Sequence, residues 1–195
     1  MNPNSRADIW NLVCEYTPSE QLRKHMLAVE AAMKFYARKF GADENFWGNV
    51  GLVHDFDYEK FPERHPFQGL EILTALGFDQ DFLYAIRAHA DYGDPAALEE
   101  KYREPAPRTR LIDKTLYACD ELTGLIIAVA YVRPSKKLAD VDLQAIKKKW
   151  KDKAFARGAK REDIERGAQE LGIPLDEHIQ NVLTALQATH AQYGL

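Results

Sequence analysis

The chain is poor in the features that staple, anchor or spread a protein. It has 195 residues and only two cysteines, Cys14 and Cys119, with no CxxC pair. That argues against a disulfide-stapled secreted fold. Positive charge is not in surplus: 26 Lys and Arg against 30 Asp and Glu leave a net charge of −4, with a pI near 5.9. A general nucleic-acid binder would carry a basic excess, so no stable nucleic-acid complex is expected. Long apolar runs are missing as well. The longest, Leu122 to Val132, covers eleven positions and is interrupted by Thr123 and Gly124, too short to span a bilayer. The polar start Met-Asn-Pro-Asn-Ser-Arg-Ala-Asp holds no apolar signal core. Strand signals are nearly absent, because no stretch alternates cleanly between apolar and polar residues. No internal repeat or low-complexity tract stands out. What is present is a globular balance of 46% apolar and 29% charged residues, on a length that suits one domain. The expectation is a cytoplasmic single domain over 1–195, without membrane contact.

Helical periodicity fills the chain. Thr17-Pro18-Ser19-Glu20 reads as a capping box with proline at the first helical position. Leu22, Met26, Val29, Met33, Tyr36 and Phe40 follow at steps of four and three, and Gly41 stops the run. Asp43 reads as the next N-cap, before Trp47, Val50 and Val53. Pro66 opens a helix carrying Phe67, Leu70, Leu73 and Leu76, and Asp79 caps one carrying Phe82 and Ile86. Further helices are expected over about 108–132, 140–157, 162–171 and 174–193. Glu104-Pro105-Ala106-Pro107 is a loop between them. The fold class is therefore all-α, a single-domain bundle of eight to ten helices.

The histidines follow the apolar faces. His25 lies three after Leu22 and four before Val29; His54 lies four after Val50 with Asp55 beside it; His89 lies three after Ile86. His65 precedes Pro66 and sits at a helix start. Asp120 lies amid Cys119, Leu122 and Leu125. A buried carboxylate needs a partner, and a divalent metal shared with inward imidazoles would be one. Each residue alone has a plainer reading, as a hydrogen-bonded core histidine or a paired carboxylate. Four such histidines with two aspartates are a less ready accident, and the mixed His/Asp set suits Zn, Fe or Mn better than an all-oxygen shell.

The ordered series His25, His54-Asp55, His65, His89 and Asp120 resembles the HD-domain superfamily of metal-dependent phosphohydrolases. Gly51-Leu52-Val53-His54-Asp55-Phe56-Asp57-Tyr58-Glu59 is similar to the HDIG-type signature, with Phe-Asp standing where Ile-Gly is usual. The resemblance covers roughly residues 20 to 130, with the helices of about 140–193 packing on that core. It implies that His25, His54, Asp55 and Asp120 hold one metal ion, and that His65 and His89 can hold a second with Asp55 bridging and serving catalysis; two ions are expected, with a single-metal site as the alternative. The ions would be divalent, with Mn, Fe, Mg and Zn left open. They would activate a water against a small phosphorylated, nucleotide-like substrate. Single-metal relatives place a glutamate three after the HD aspartate; Tyr58 stands there, leaving Asp57 or Glu59 as substitute proton donors.

Two other functions stay open on these residues: a di-iron oxygenase of the same fold, and a non-catalytic HD sensor or binding module. Arg133, Ser135 and Lys136, in the loop leaving the Asp120 helix, are expected to bind the substrate phosphate. Lys147, Lys148, Lys149, Lys151 and Lys153 crowd the next helix as either a solvated face or a second basic feature. His178 and His190 are read as structural or surface residues.

Overall fold

Every regular element among the described residues is helical. The structure, a computed structural model, describes residues 2–3, 5–89, 91 and 98–195. Among these residues the nine α-helices are α1 (Arg6–Tyr16), α2 (Glu20–Phe40), α3 (Glu44–Val53), α4 (Phe67–Ala75), α5 (Gln80–Arg87), α6 (Leu111–Tyr131), α7 (Leu143–Trp150), α8 (Arg161–Leu171) and α9 (Leu175–Ala188). No helix among these residues is long and apolar enough to cross a membrane.

The local signals explain most boundaries. Asp43 and Asp79 accept backbone N–H groups at the starts of α3 and α5, and Gly41 ends α2 in the left-handed conformation, as these residue types favour. Three boundaries depart from the pattern. The cap of α2 is Ser19, which accepts from the Leu22 N–H. Thr17 is instead drawn away by a tertiary bond, its buried hydroxyl donating to the Phe56 carbonyl at 2.9 Å. The helix expected over 140–157 stops at Trp150. There Asp152 accepts from Ala154 and Phe155 N–H, and the Arg161 guanidinium donates to the carbonyls of Phe155, Ala156 and Ala159. The last helix ends at Ala188 rather than Tyr193, and the Thr189 and Tyr193 hydroxyls meet at 2.5 Å across the closing turn. Helix α1 lies outside the periodic segments; only Ile9, Leu12 and Val13 of it are buried.

Helices α2 and α6 form the centre. Helix α3 and α9 pack on α2, and α8 and α9 on α6, while α4 and α5 form a pair beside them. The approach of α3 to α2 is close at Gly51, where a Cβ would meet the Met33 side chain at 2.8 Å and the Val29 carbonyl at 3.1 Å. That packing fixes the end of α3, where His54 follows.

His178 ties the C-terminal helices to this centre. It is fully buried, and its Nε2–H donates to the Ala118 carbonyl of α6 at 2.9 Å. Nδ1 then accepts from the Tyr36 hydroxyl of α2 at 2.6 Å. Burial pushes its pKa down to about 4. The ring is therefore neutral in the fold and must gain a proton in acid. Stability carried here is intact above the unfolded value near 6.5 and is lost as pH falls toward about 4, by about 3 kcal/mol. Replacing His178 with Gln should shrink the loss of stability between pH 7 and pH 4.5 measured by denaturant titration; an unchanged loss would remove this role.

Candidate metal centre

Five segments deliver the six residues of the ordered series. His25 projects from the second turn of α2, and His54 closes α3 with Asp55 just beyond it. His65 stands two residues before α4, His89 follows α5, and Asp120 lies midway along α6. Their side chains meet. His25 Nε2 is 3.0 Å from Asp120 Oδ1 and 3.7 Å from Asp55 Oδ2. His54 Nε2 is 3.3 Å from Asp120 Oδ1 and 3.4 Å from Asp55 Oδ2. The other Asp55 oxygen, Oδ1, is 3.2 Å from His65 Nε2 and 3.5 Å from His89 Nε2. Two groups that could hold a metal ion result, His25–His54–Asp55–Asp120 and Asp55–His65–His89, with Asp55 common to both.

The far nitrogen of each ring is already engaged. His54 Nδ1 donates to the Gly51 carbonyl at 2.9 Å, and His89 Nδ1 to the Ile86 carbonyl at 2.5 Å. His65 Nδ1 donates to Asp57 Oδ1 at 2.7 Å. His25 Nδ1 lies 3.4 Å from the Thr123 hydroxyl, whose own proton goes to the Asp120 carbonyl at 2.8 Å. Carbonyls and carboxylates only accept, so these partners place a proton on Nδ1 and aim the Nε2 lone pair inward. Outer partners of this kind orient imidazoles toward a metal. The His65 and His89 Nε2 atoms face one another at 3.4 Å, an unfavourable meeting of lone pairs unless a proton or a cation lies between them.

The spacing fits a cation. Bonds of about 2.0–2.2 Å place neighbouring ligand atoms about 3.0 Å apart at right angles and about 3.4 Å apart at tetrahedral angles. The nitrogen-to-oxygen separations here run from 3.0 to 3.7 Å. Without a cation, protons take its place. Burial pulls the His54 imidazole down, but the charge of Asp55 and the bond it donates to Asp120 more than reverse this, leaving it well above its usual value. The same contest raises His65 to about 9 through Asp55 and Asp57. Burial opposes ionisation of Asp55 and Asp120, yet the facing imidazoles hold both carboxyls below the usual range. His54 and His89 are buried, whereas the side chains of His25, Asp55 and Asp120 keep about a fifth of their surface open, at 21, 18 and 19%. The centre is therefore partly open to solvent.

Other expected residues lie elsewhere. Arg133, Ser135 and Lys136 do not reach the centre: α6 runs eleven residues beyond Asp120, which at 1.5 Å per residue carries them about 17 Å away. The Arg133 guanidinium donates to the Asp140 carbonyl, and Ser135 and Lys136 are exposed. Asp57 is no proton donor to substrate, since it is buried behind His65 and also accepts from Gly69 N–H at 2.7 Å. Glu59 accepts from Ser19 N–H at the start of α2. Lys147 pairs with Asp176 on α9, and Lys149 lies over the Phe155 ring. Arg108 and Arg166 cluster together instead. Both bind Asp91, two positions after His89, and both lie over Tyr117, one turn before Asp120.

Sequence reasoning did not single out Thr123, which sat inside an apolar run; its position one turn after Asp120 was the available signal. Glu121 was also missed. Burial, reinforced by the Asp120 charge, pushes its carboxyl up to about 7. Tyr58 is 47% exposed and packs edge-on against His65 at 5.3 Å.

No family model matches the chain, and no curated protein or solved structure matches it either.

Proposed function

We propose that the protein is a divalent-metal-dependent phosphohydrolase acting on a small, nucleotide-like phosphate ester. The observation that carries this reading is Asp55, whose two oxygens face two separate sets of imidazole Nε2 atoms within one partly open cluster. A carboxylate shared between two sets of nitrogen ligands suits a pair of cations, and the resemblance to the HD series points the same way. Bound divalent ions would supply Lewis acidity to a phosphoryl oxygen and acidify a water for in-line displacement. The chain's part is positional. His25, His54 and Asp120 would hold one cation, His65 and His89 the other, and Asp55 would offer one oxygen to each. Gly51, Ile86, Asp57 and Thr123 keep the rings from turning. Two divalent charges would exceed those of the two carboxylates, which favours an anionic substrate. Tyr58 offers an exposed ring at the rim on the His65 side.

The test is a screen of purified protein, loaded in turn with Mn(II), Zn(II) and Fe(II), against nitrophenyl phosphates and nucleoside mono-, di- and triphosphates. Cation-dependent phosphate release that Asp120→Ala abolishes is the expected result. Oxygen uptake by the iron-loaded protein without phosphate release would instead assign oxygenase chemistry. Ligand binding without turnover would make the protein a sensor.

A further inference from the structure

We propose that Asp57 is the positioning residue that makes the Asp55–His65–His89 group a cation site, a role that rests on the metal-centre reading above. The two groups are unequal. The first has four protein donors and the second three, so the second depends more on each ligand's aim. His54 and His89 are aimed by carbonyls of the helices they close, Gly51 and Ile86. His65 belongs to no helix and takes its aim from Asp57 Oδ1 at 2.7 Å.

Asp57 is itself held rigidly. Its side chain is 1% exposed, and Oδ2 accepts from Gly69 N–H at 2.7 Å, in the first turn of α4. Pro66, which precedes that helix, makes no side-chain cap bond. Asp57 thus caps α4 from twelve residues upstream and locks His65 to the same carboxylate. The fit requires glycine at position 69, because a Cβ there would lie 2.8 to 3.0 Å from the Asp57 carboxylate atoms. A carboxylate acceptor also makes the ring a stronger ligand than a carbonyl does. Removing it leaves Asp55 Oδ1 and His89 as the aimed donors of the second position. None of the bonds or ion pairs that aim His25, His54 and Asp120 involves Asp57.

The test is Mn(II) binding by the full chain, read by titration calorimetry, metal content and the spin-coupling signal of paired Mn(II). In Asp57→Asn one oxygen cannot accept from both His65 and Gly69. Content should fall from about two to about one Mn(II) per chain, and the coupling signal should vanish. The weaker affinity should drop about 10–100-fold, the scale of outer-ligand loss, while the tighter one stays within about twofold. Gly69→Ala, which pushes the same carboxylate from the other side, should weaken the same step. Adding Asp57→Asn to His65→Ala should cost nothing further at the second position. Two coupled Mn(II) at wild-type affinities in Asp57→Asn overturn the proposal, as does equal weakening of both steps. Wild-type protein that binds no Mn(II), Zn(II) or Fe(II) would overturn the metal-centre reading itself, and this role with it.

Discussion

Asp55→Ala should lose both cations together and lower turnover by about three orders of magnitude or more, the scale of a lost metal-activated nucleophile. The residue contributes one oxygen to each of the two groups. Deleting it therefore removes a donor from both at once, unlike a change at His25 or His89. The helices should survive. Asp55 lies after the end of α3, its side chain caps no helix, and its backbone carbonyl still accepts from Tyr58 N–H. Unchanged circular dichroism, absent metal and absent activity form the expected set. Asp55→Asn keeps the shape but not the charge and should retain one cation at most. An active Asp55→Ala protein would falsify the metal mechanism.

The second large effect is on stability and its pH dependence. A cation at about a thousand times its dissociation constant stabilises the fold by about 4 kcal/mol, or about 10 °C of Tm for a chain of this length. Chelation should remove that increment. Protons compete for the same nitrogens: His54 sits well above its usual value and His65 at about 9. Their raised values stabilise the chelated fold fully below the unfolded histidine value near 6.5, and that contribution fades as pH rises toward 9. Over the same window a cation displaces fewer protons and binds more tightly. Melting with and without chelator at pH 6.5, 7.5 and 8.5 should therefore show the gap in Tm widening with pH. A gap that narrows, or one under about 2 °C throughout, would count against the centre.

How far the sequence reaches differs between the helices and the site. The existence of every helix but α1 was legible because its causes are local. Apolar residues at steps of three and four, Asp43 and Asp79 as caps, and Gly41 as a stop act within a few residues of themselves. Boundaries failed where distant groups compete for the same atoms. Thr17 has the chemistry of a cap, but Phe56 claims its hydroxyl. The helix begun at Leu143 has helical residues beyond Trp150, but Arg161 gathers three carbonyls of that stretch into a turn.

The six residues of the centre could be picked out from sequence because each lies on an apolar face or at a helix end, where a polar side chain needs a reason. Convergence was another matter. That His25 and Asp120, ninety-five positions apart, stand 3.0 Å from each other depends on how α2 and α6 pack. Nearness in the chain misled at Arg133, because a straight helix carries consecutive residues away from one another. Asp57 shows the converse. Beside the His-Asp pair it reads as a free acid, and only the α4 backbone at Gly69 and the His65 ring turn it into a buried brace. Residue types and local order determined that this chain is helical and which polar side chains lie on apolar faces or at helix ends. Packing decided which of them meet, because burial and hydrogen-bond choice depend on surfaces that exist only once the helices are together.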